Sequence, residues 1–292
     1  MKPAAFTYHR PQRREEVDEL LAEFSDDAKI LAGGQSLIPI LNMRLSAPAH
    51  LIDINGLEDE PSEPGLDKDA ITFGPLVRQF AAEQSSIVSE RLRLLHETMR
   101  YVAHPAIRSR GTVVGSIAHA DPAAELPAVF VLLQGQAMVR SAEGQRDVSA
   151  ADLYMGHLET SLGSSEWIDE VRLPSTPPGR GAAVEEFARR RGDYALCGVV
   201  AIADPGDAEH SARIVLSFLG MGATPQRLEL PELGDDQLTG GELEEAVQEI
   251  VEERLAPDQD IHATAEYRMH LAGRLGVRTA RQAVERMRAR AA

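Results

Sequence analysis

Neither a helix nor a hydrogen-bonded strand can run through Pro174-Ser175-Thr176-Pro177-Pro178-Gly179-Arg180-Gly181. Each proline removes a backbone donor, and each glycine adds chain entropy that a regular element must overcome. The segment predicts a boundary, with residues 180–292 forming a body of their own. There, apparent strands at Val184–Arg189, Cys197–Ala203 and Arg213–Leu219 precede helical patterns over Gly241–Arg254 and Ala263–Arg290. Strands followed by helices imply an α+β fold.

On the other side, Val17, Leu20, Leu21 and Phe24 recur at helical spacing, and Arg13 to Glu23 supplies the polar face. Lys29-Ile30-Leu31-Ala32 reads as a buried strand that ends in Gly33-Gly34, with Ser36 placed to cap a short helix. His50 to Ile54 is a second strand, stopped by Asn55-Gly56. The acidic, proline- and glycine-containing stretch from Glu58 to Lys68 reads as a surface connection between units 1–57 and 58–175. In the latter, Ala70–Gly74 restarts a strand, and Leu92, Leu95, Met99 and Val102 suggest a helix. Val129 to Leu133 is a buried apolar run, and Trp167 to Leu173 alternates like a half-buried strand.

The bulk numbers exclude several classes. A formal charge of −16 opposes nucleic-acid binding, which depends on Lys and Arg neutralising phosphates. No apolar run approaches the roughly 20 residues of a membrane helix, and Met1 to Phe6 lacks a signal-peptide core, so a cytoplasmic location is expected. The single cysteine, Cys197, lies among apolar neighbours and cannot alone supply a metal centre that takes about four protein ligands. Any cluster chemistry then belongs to another chain. One basic region stands out: Arg268, Arg274, Arg278, Arg281, Arg286, Arg288 and Arg290 form either a solvated helix face or a docking face for an acidic partner.

Four segments could carry chemistry. Ala32-Gly33-Gly34-Gln35-Ser36 places paired glycines after a strand, where backbone N–H groups can approach an anion without an intervening Cβ. The turn has neither the Gly-x-Gly-x-x-Gly spacing nor the Walker lysine, so a pyrophosphate cradle and a plain tight turn both remain open. Gly111-Thr112-Val113-Val114-Gly115-Ser116 offers two hydroxyls and a flexible glycine, or else a turn between strands. Ser116, His119, Asp121 and Glu125 crowd together in sequence, which is no evidence for a triad or a metal site; a carboxylate accepting hydrogen bonds from a polyhydroxyl ligand is the better reading. In Arg189-Arg190-Arg191-Gly192-Asp193-Tyr194 the arginines could face phosphate, a subunit or solvent, and Tyr194 could stack on an aromatic ring or pack inside.

In order, these segments resemble the FAD-binding medium subunit of molybdenum hydroxylases, as in aerobic carbon monoxide dehydrogenase and the flavin domain of xanthine dehydrogenase. The resemblance runs from Phe6-x-Tyr8-x-Arg10-Pro11 through Leu31 to Pro39, His104-Pro105-Ala106-Ile107-Arg108, Gly111 to Pro127, Glu170 to Pro174 and Gly192 to Leu196, ending at Glu266-Tyr267-Arg268. It implies an α+β chain: a two-subdomain FAD-binding fold of the vanillyl-alcohol-oxidase type, plus a C-terminal α+β domain. It further implies that Ala32, Gly33, Gly34, Gln35, Ser36 and Leu37 cradle the FAD pyrophosphate from one side and Thr112, Gly115 and Ser116 from the other. Glu125 would be an acidic flavin-site residue, Asp193 and Tyr194 would lie near the isoalloxazine, and Ile168 would be an apolar flavin contact.

The family pattern of the second loop is Thr-Ile-Gly-Gly, whereas this chain has Thr112-Val113-Val114-Gly115. A β-branched residue is costly there if the position needs a positive φ or touches phosphate, and FAD affinity or loop geometry would then differ. The implied activity is electron transfer. A molybdenum-cofactor large subunit and a small subunit with two [2Fe–2S] clusters would be the partners, and FAD would pass electrons to an external acceptor. A freestanding flavin oxidase and a flavin-free scaffold of the same fold are the alternatives. Neither a catalytic side chain nor a metal ligand is assigned to this chain.

Overall fold

The computed structural model describes residues 2–206 and 212–291. It begins with β1 (Thr7–His9), α1 (Arg14–Phe24), β2 (Ala28–Leu31), α2 (Leu37–Met43) and β3 (His50–Asp53). The three strands form a parallel sheet in the order β1-β3-β2. Parallel neighbours need crossovers, and α1 and α2 supply them. Val17 and Leu21 of α1, one helical turn apart, are buried against Ile52, Ile54 and Trp167.

The middle sheet is antiparallel. It contains β4 (Gly65–Asp67), β5 (Ala70–Phe73), β6 (Gln136–Ser141) and β7 (Gly144–Ser149); a small hairpin follows, β8 (Tyr154–Gly156) and β9 (Glu159–Thr160). The long strand β10 (Trp167–Pro174) completes the sheet in the order β4-β5-β10-β6-β7. Its helices are α3 (Gln79–Gln84), α4 (Ser86–Arg91), α5 (Arg93–Thr98), α6 (Pro105–Arg108), α7 (Val113–His119), α8 (Glu125–Leu132) and α9 (Ala150–Leu153). In α8 every residue from Leu126 to Leu132 is buried, which accounts for the apolar run around Val129.

Polar contacts tie the first two sheets together. Trp167 Nε1 donates to Asp18 (2.9 Å), and Arg140 reaches the same carboxylate (2.8 Å). Arg14 bonds Glu60 (2.7 Å) and lies 3.1 Å from the buried Asp169.

After residues 175–180 the C-terminal sheet begins. It consists of β11 (Gly181–Ala188), β12 (Ala195–Pro205), β13 (Ala212–Leu219) and β14 (Gln226–Glu229), all antiparallel and paired in that order. Three helices follow: α10 (Asp235–Thr239), α11 (Glu242–Arg254) and α12 (Ala265–Ala291). One face of the sheet, with Val184, Val200, Ile202, Val215 and Leu219, joins the core of the middle unit under α5 and α8. The other, with Ala183, Val199, Ala201, Leu216 and Phe218, packs on α11 and α12. Both faces are covered, so β12 reads as a continuous apolar run instead of an alternating one. At Gly181 a Cβ would lie 1.9 Å from the Ala283 carbonyl oxygen, so only glycine lets α12 come this close.

Four local expectations change. The Glu58–Lys68 stretch is more than a surface connection, since it contributes the edge strand β4 and the ion-paired Glu60. The Leu92–Val102 pattern is not one helix; Leu92 has φ −132° and ψ 53° and separates α4 from α5. Gly111–Ser116 is not a turn between strands, because it opens α7.

The C-terminal arginines divide: Arg268 is buried, whereas Arg274, Arg278 and Arg290 stay exposed as a solvated face. Among the described residues, six of the seven bond within the chain. Arg268 bonds the Leu196 carbonyl (2.6 Å), Arg278 Glu185, Arg281 Glu244, Arg286 Glu97 (2.7 Å), Arg288 Asp235 and Arg290 the Arg180 carbonyl.

Candidate functional site

Gly33 and Gly111 sit back to back. A Cβ on Gly33 would lie 2.5 Å from the Arg110 carbonyl oxygen and 2.7 Å from Gly111 Cα. Gly34 has φ +70°, a left-handed conformation that glycine adopts without strain. The two glycine-containing loops are thus packed together at the junction of the first and middle sheets.

A polar lattice fixes that junction. Tyr8 donates to Asp53 (2.5 Å), Asp53 accepts from Asn55 (3.0 Å), and Asn55 Nδ2 donates to the Ala32 carbonyl (2.7 Å). From the other side, Arg78 donates to Asn55 Oδ1 (2.5 Å) and to the Arg110 carbonyl (2.6 Å). Gln79 N–H donates to the Gly111 carbonyl (2.8 Å), and Val113 N–H to that of Val77 (3.1 Å). Arg108 anchors the loop from behind through Glu83 (2.9 Å) and the Val102 carbonyl (2.8 Å).

Within the first turn, Gln35 Nε2 donates to the Gly33 carbonyl (2.9 Å), so this side chain braces the turn. Ser36 occupies the cap position of α2 without making a cap bond, contrary to the sequence expectation. Leu37 is the first residue of α2. In the second loop, Thr112 Oγ1 accepts from Gly115 N–H (3.0 Å) as the N-cap of α7. A Cβ on Gly115 would lie 2.5 Å from that oxygen, so a larger residue there would have to push the Thr112 hydroxyl aside. Val114 is a helical residue of α7, buried to 4% exposure, and is not among the positive-φ positions. The cost of a positive φ for a β-branched residue therefore does not arise there.

The local charge suits an anion. Among the described residues Arg78 hydrogen-bonds only neutral acceptors. Burial and the like charge of Arg110 hold its pKa below the usual guanidinium range. Negative charge brought beside this pair would relieve the repulsion, and on a chain of net charge −16 it is a local exception.

A second cluster lies where the middle unit meets the C-terminal sheet. Glu125 is the first residue of α8; burial pushes its carboxyl up to about 7, with Asp121 adding to the rise and its own backbone N–H and Arg108 opposing it. The turn before α8 is tied across the junction, because Gly220 N–H donates to the Pro122 carbonyl (2.8 Å). Tyr194 lies on the β11–β12 loop and is 68% exposed as a residue. Desolvation, then the charges of Asp121 and Glu125, raise its phenol above the usual range. Asp193 is exposed on the same loop, and Gly192 (φ +85°) abuts the His104 ring. Arg189 reaches His262 (3.3 Å). Ile168 lies apart from this surface, 4% exposed in the core shared with Val113, Val114 and Ile117.

The sequence reading missed Asn55 and Arg78 as the struts between the loops. Asn55 was legible only as a strand stop, and Arg78 carries no local motif.

The profile described as the FAD binding domain in molybdopterin dehydrogenase matches residues 4–176. That of the CO dehydrogenase flavoprotein C-terminal domain matches residues 182–283. The chain is 38% identical to the 6-hydroxypseudooxynicotine dehydrogenase complex subunit alpha of Paenarthrobacter nicotinovorans, over 99% of this chain and 97% of that one. It is 32% identical to the carbon monoxide dehydrogenase medium chain of Afipia carboxidovorans, over 100% and 99%. Among solved structures, a chain of the Cu,Mo-CO dehydrogenase in its cyanide-inactivated form superposes with a TM-score of 0.89 at 32% identity, covering 99% of this chain and 100% of that chain. With both domains matched along nearly its whole length, this chain belongs to the FAD-binding medium subunits of the molybdenum hydroxylase family and is an FAD-dependent oxidoreductase subunit.

Proposed function

We propose that the chain carries electrons from iron–sulfur clusters on a partner subunit, through its FAD, to an external acceptor, in a complex whose large subunit holds the molybdenum cofactor. The observation that carries this reading is the pair of abutting glycine loops braced by Arg78 and Asn55. Redox chemistry belongs to the FAD when it is bound, and the chain's task is to hold and orient it. On this reading the backbone of Ala32 to Leu37 and the hydroxyls of Ser36, Thr112 and Ser116 grip the pyrophosphate, with Arg78 and Arg110 compensating its charge. Gly34 and Gly115 allow the close approach. Glu125 accepts from the flavin's polyhydroxyl chain, and Tyr194 with Asp193 lines the ring. Ile168 supports α7 from behind.

Partner clusters fit the cysteine count. Cys197 is the chain's one cysteine, and it is buried. Burial pushes its thiol up to about 12, far from the thiolate form that ligates iron. The test is a comparison of the isolated chain with its complex. The isolated chain should bind FAD one to one, and its bound flavin should keep its colour when the complex's substrate is added anaerobically. The same substrate should bleach the flavin once the molybdenum and iron–sulfur subunits are present. Bleaching in the isolated chain would instead show that substrate is oxidised on this polypeptide.

A further inference from the structure

In the order β11-β12-β13-β14, β11 is an edge strand. Along its free edge, between α5 and α12, runs a cavity of about 730 Å³. The Ala182 carbonyl points off that edge and accepts from Arg286 (2.6 Å), and Tyr101, just past α5, reaches the Val184 carbonyl (3.4 Å). In an antiparallel strand a residue's N–H points the same way as its carbonyl, so the backbone donors of Ala182 and Val184 also face outward. Alternation along β11 turns Glu185 toward α12, where Arg278 (3.0 Å) and Gln282 (2.8 Å) hold it. It turns Glu186 to the same side as Val184, toward α5.

The charge lining this cavity is opposite in sign to that of the chain. Arg93, Arg100, Arg278 and Arg286 face Glu97, Glu185 and Glu186, an excess of one positive charge on a chain of net charge −16. Glu97 is shared by Arg93 (2.8 Å) and Arg286 (2.7 Å), and Glu185 holds Arg278. Two carboxylates thus answer three guanidiniums and hold them in place around the opening. His96 on α5 and Arg100 just beyond it complete that side, and among the described residues their side chains bond nothing.

Glu186 does not cancel the excess. Its Oε2 is buried and has no hydrogen-bond partner among the described residues, which favours the protonated carboxyl. Burial, then the charge of Glu125, pushes it up to about 8. The walls are otherwise polar, with Val184 and the Tyr101 ring as the apolar exceptions, so they offer little to an aromatic or acyl ligand. The volume is that of a small-molecule site and exceeds what a single inorganic anion fills. Guanidinium forks match the paired oxygens of phosphate and carboxylate.

We propose that this cavity binds a small polar oxyanion, a phosphate ester or a polycarboxylate, held by Arg93, Arg100 and Arg278 with His96 beside them. The site shares no residue with the glycine loops or with the Glu125 and Tyr194 cluster, so it is a second site on the chain.

The experiment is calorimetric titration of the FAD-loaded chain at pH 7 in phosphate-free buffer, with glucose 6-phosphate, citrate and uncharged glucose as probes. Loading with FAD keeps the anions out of the flavin site. One of the two anions should bind one to one with a Kd of about 1 mM or below, and the tighter of them names the source of the oxyanion. Glucose should give no binding heat. Arg100→Ala changes an exposed side chain that bonds nothing, so its urea midpoint should match the parent's. The same substitution should weaken anion binding by at least about tenfold, the loss of one charge-assisted hydrogen bond. Binding of neither anion would overturn the inference, and so would parental affinity in Arg100→Ala. Neither anion bound, with weaker assembly of Arg100→Ala onto the partner subunits, would overturn it in favour of an acidic partner segment seated in the cavity.

Discussion

At Gly33 one missing carbon atom decides how closely two loops meet. Any Cβ there must displace the backbone at Arg110 and Gly111, which cannot move as a flexible side chain would. Gly33→Val is therefore expected to weaken FAD binding by at least about tenfold, or roughly 1.4 kcal/mol, measured by flavin fluorescence titration. Unchanged affinity would show that the two loops need not touch. Val114 argues the opposite way. As a buried helical residue it contributes packing, and Val114→Gly, which restores the family spelling, should destabilise the chain by about 1–3 kcal/mol with no gain in FAD affinity. Urea unfolding together with the same titration checks both halves. Thr112→Val removes the cap on α7 and should cost about 1 kcal/mol in the urea experiment.

At the scale of elements, α12 is the most informative. Its composition suggested a basic surface, and most of its arginines do lie there, but two of them also tether the helix to the rest of the fold. Arg268 is buried, holding the Leu196 carbonyl and Asp260, and Arg286 crosses to Glu97 on α5. Removing Arg268 leaves a buried carbonyl without its donor. Arg268→Met should lower stability by about 1–3 kcal/mol, read from the urea midpoint. A stability equal to the parent's would mean that water replaces the guanidinium at no cost. The same scale explains why β6 and β7 escaped the sequence reading. Four of the six residues of β7 are exposed on an edge strand, which leaves little hydrophobic pattern to detect.

Across the molecule, three carboxyls among the described residues bind their protons more tightly in the fold than in the open chain. Burial pushes Glu125 up to about 7, Glu186 up to about 8 and Asp169 up to about 6. For Asp169 the charges of Arg14 and Arg140 oppose the rise. A raised carboxyl makes the folded state the greater proton binder between its unfolded and folded pKa values. Stability therefore falls as pH rises through that window, roughly from 4.5 to 8, and the loss is complete above it. The flavin-free chain should show a higher urea midpoint at pH 6 than at pH 8.5. A midpoint that rises instead would mean these acids are ionised and paired in the fold.

Along the sequence, short-range rules did most of what could be done locally. Strand and helix periods located α1, β2, β3, β12, β13 and α11 to within a few residues, because each has an apolar face whose spacing the backbone dictates. The glycine turn at Gly33-Gly34 was visible for the same reason: a missing Cβ is a local property. The ordered motifs named the cofactor and the family. What the sequence could not contain was which groups meet. Arg78 becomes a strut only because β5 leads into α3 beside Arg110. Val114 looked costly at a loop position and became helical once Thr112 capped α7. In each case the deciding quantity is a distance between residues far apart in the chain, and such distances exist only after the sheets have packed.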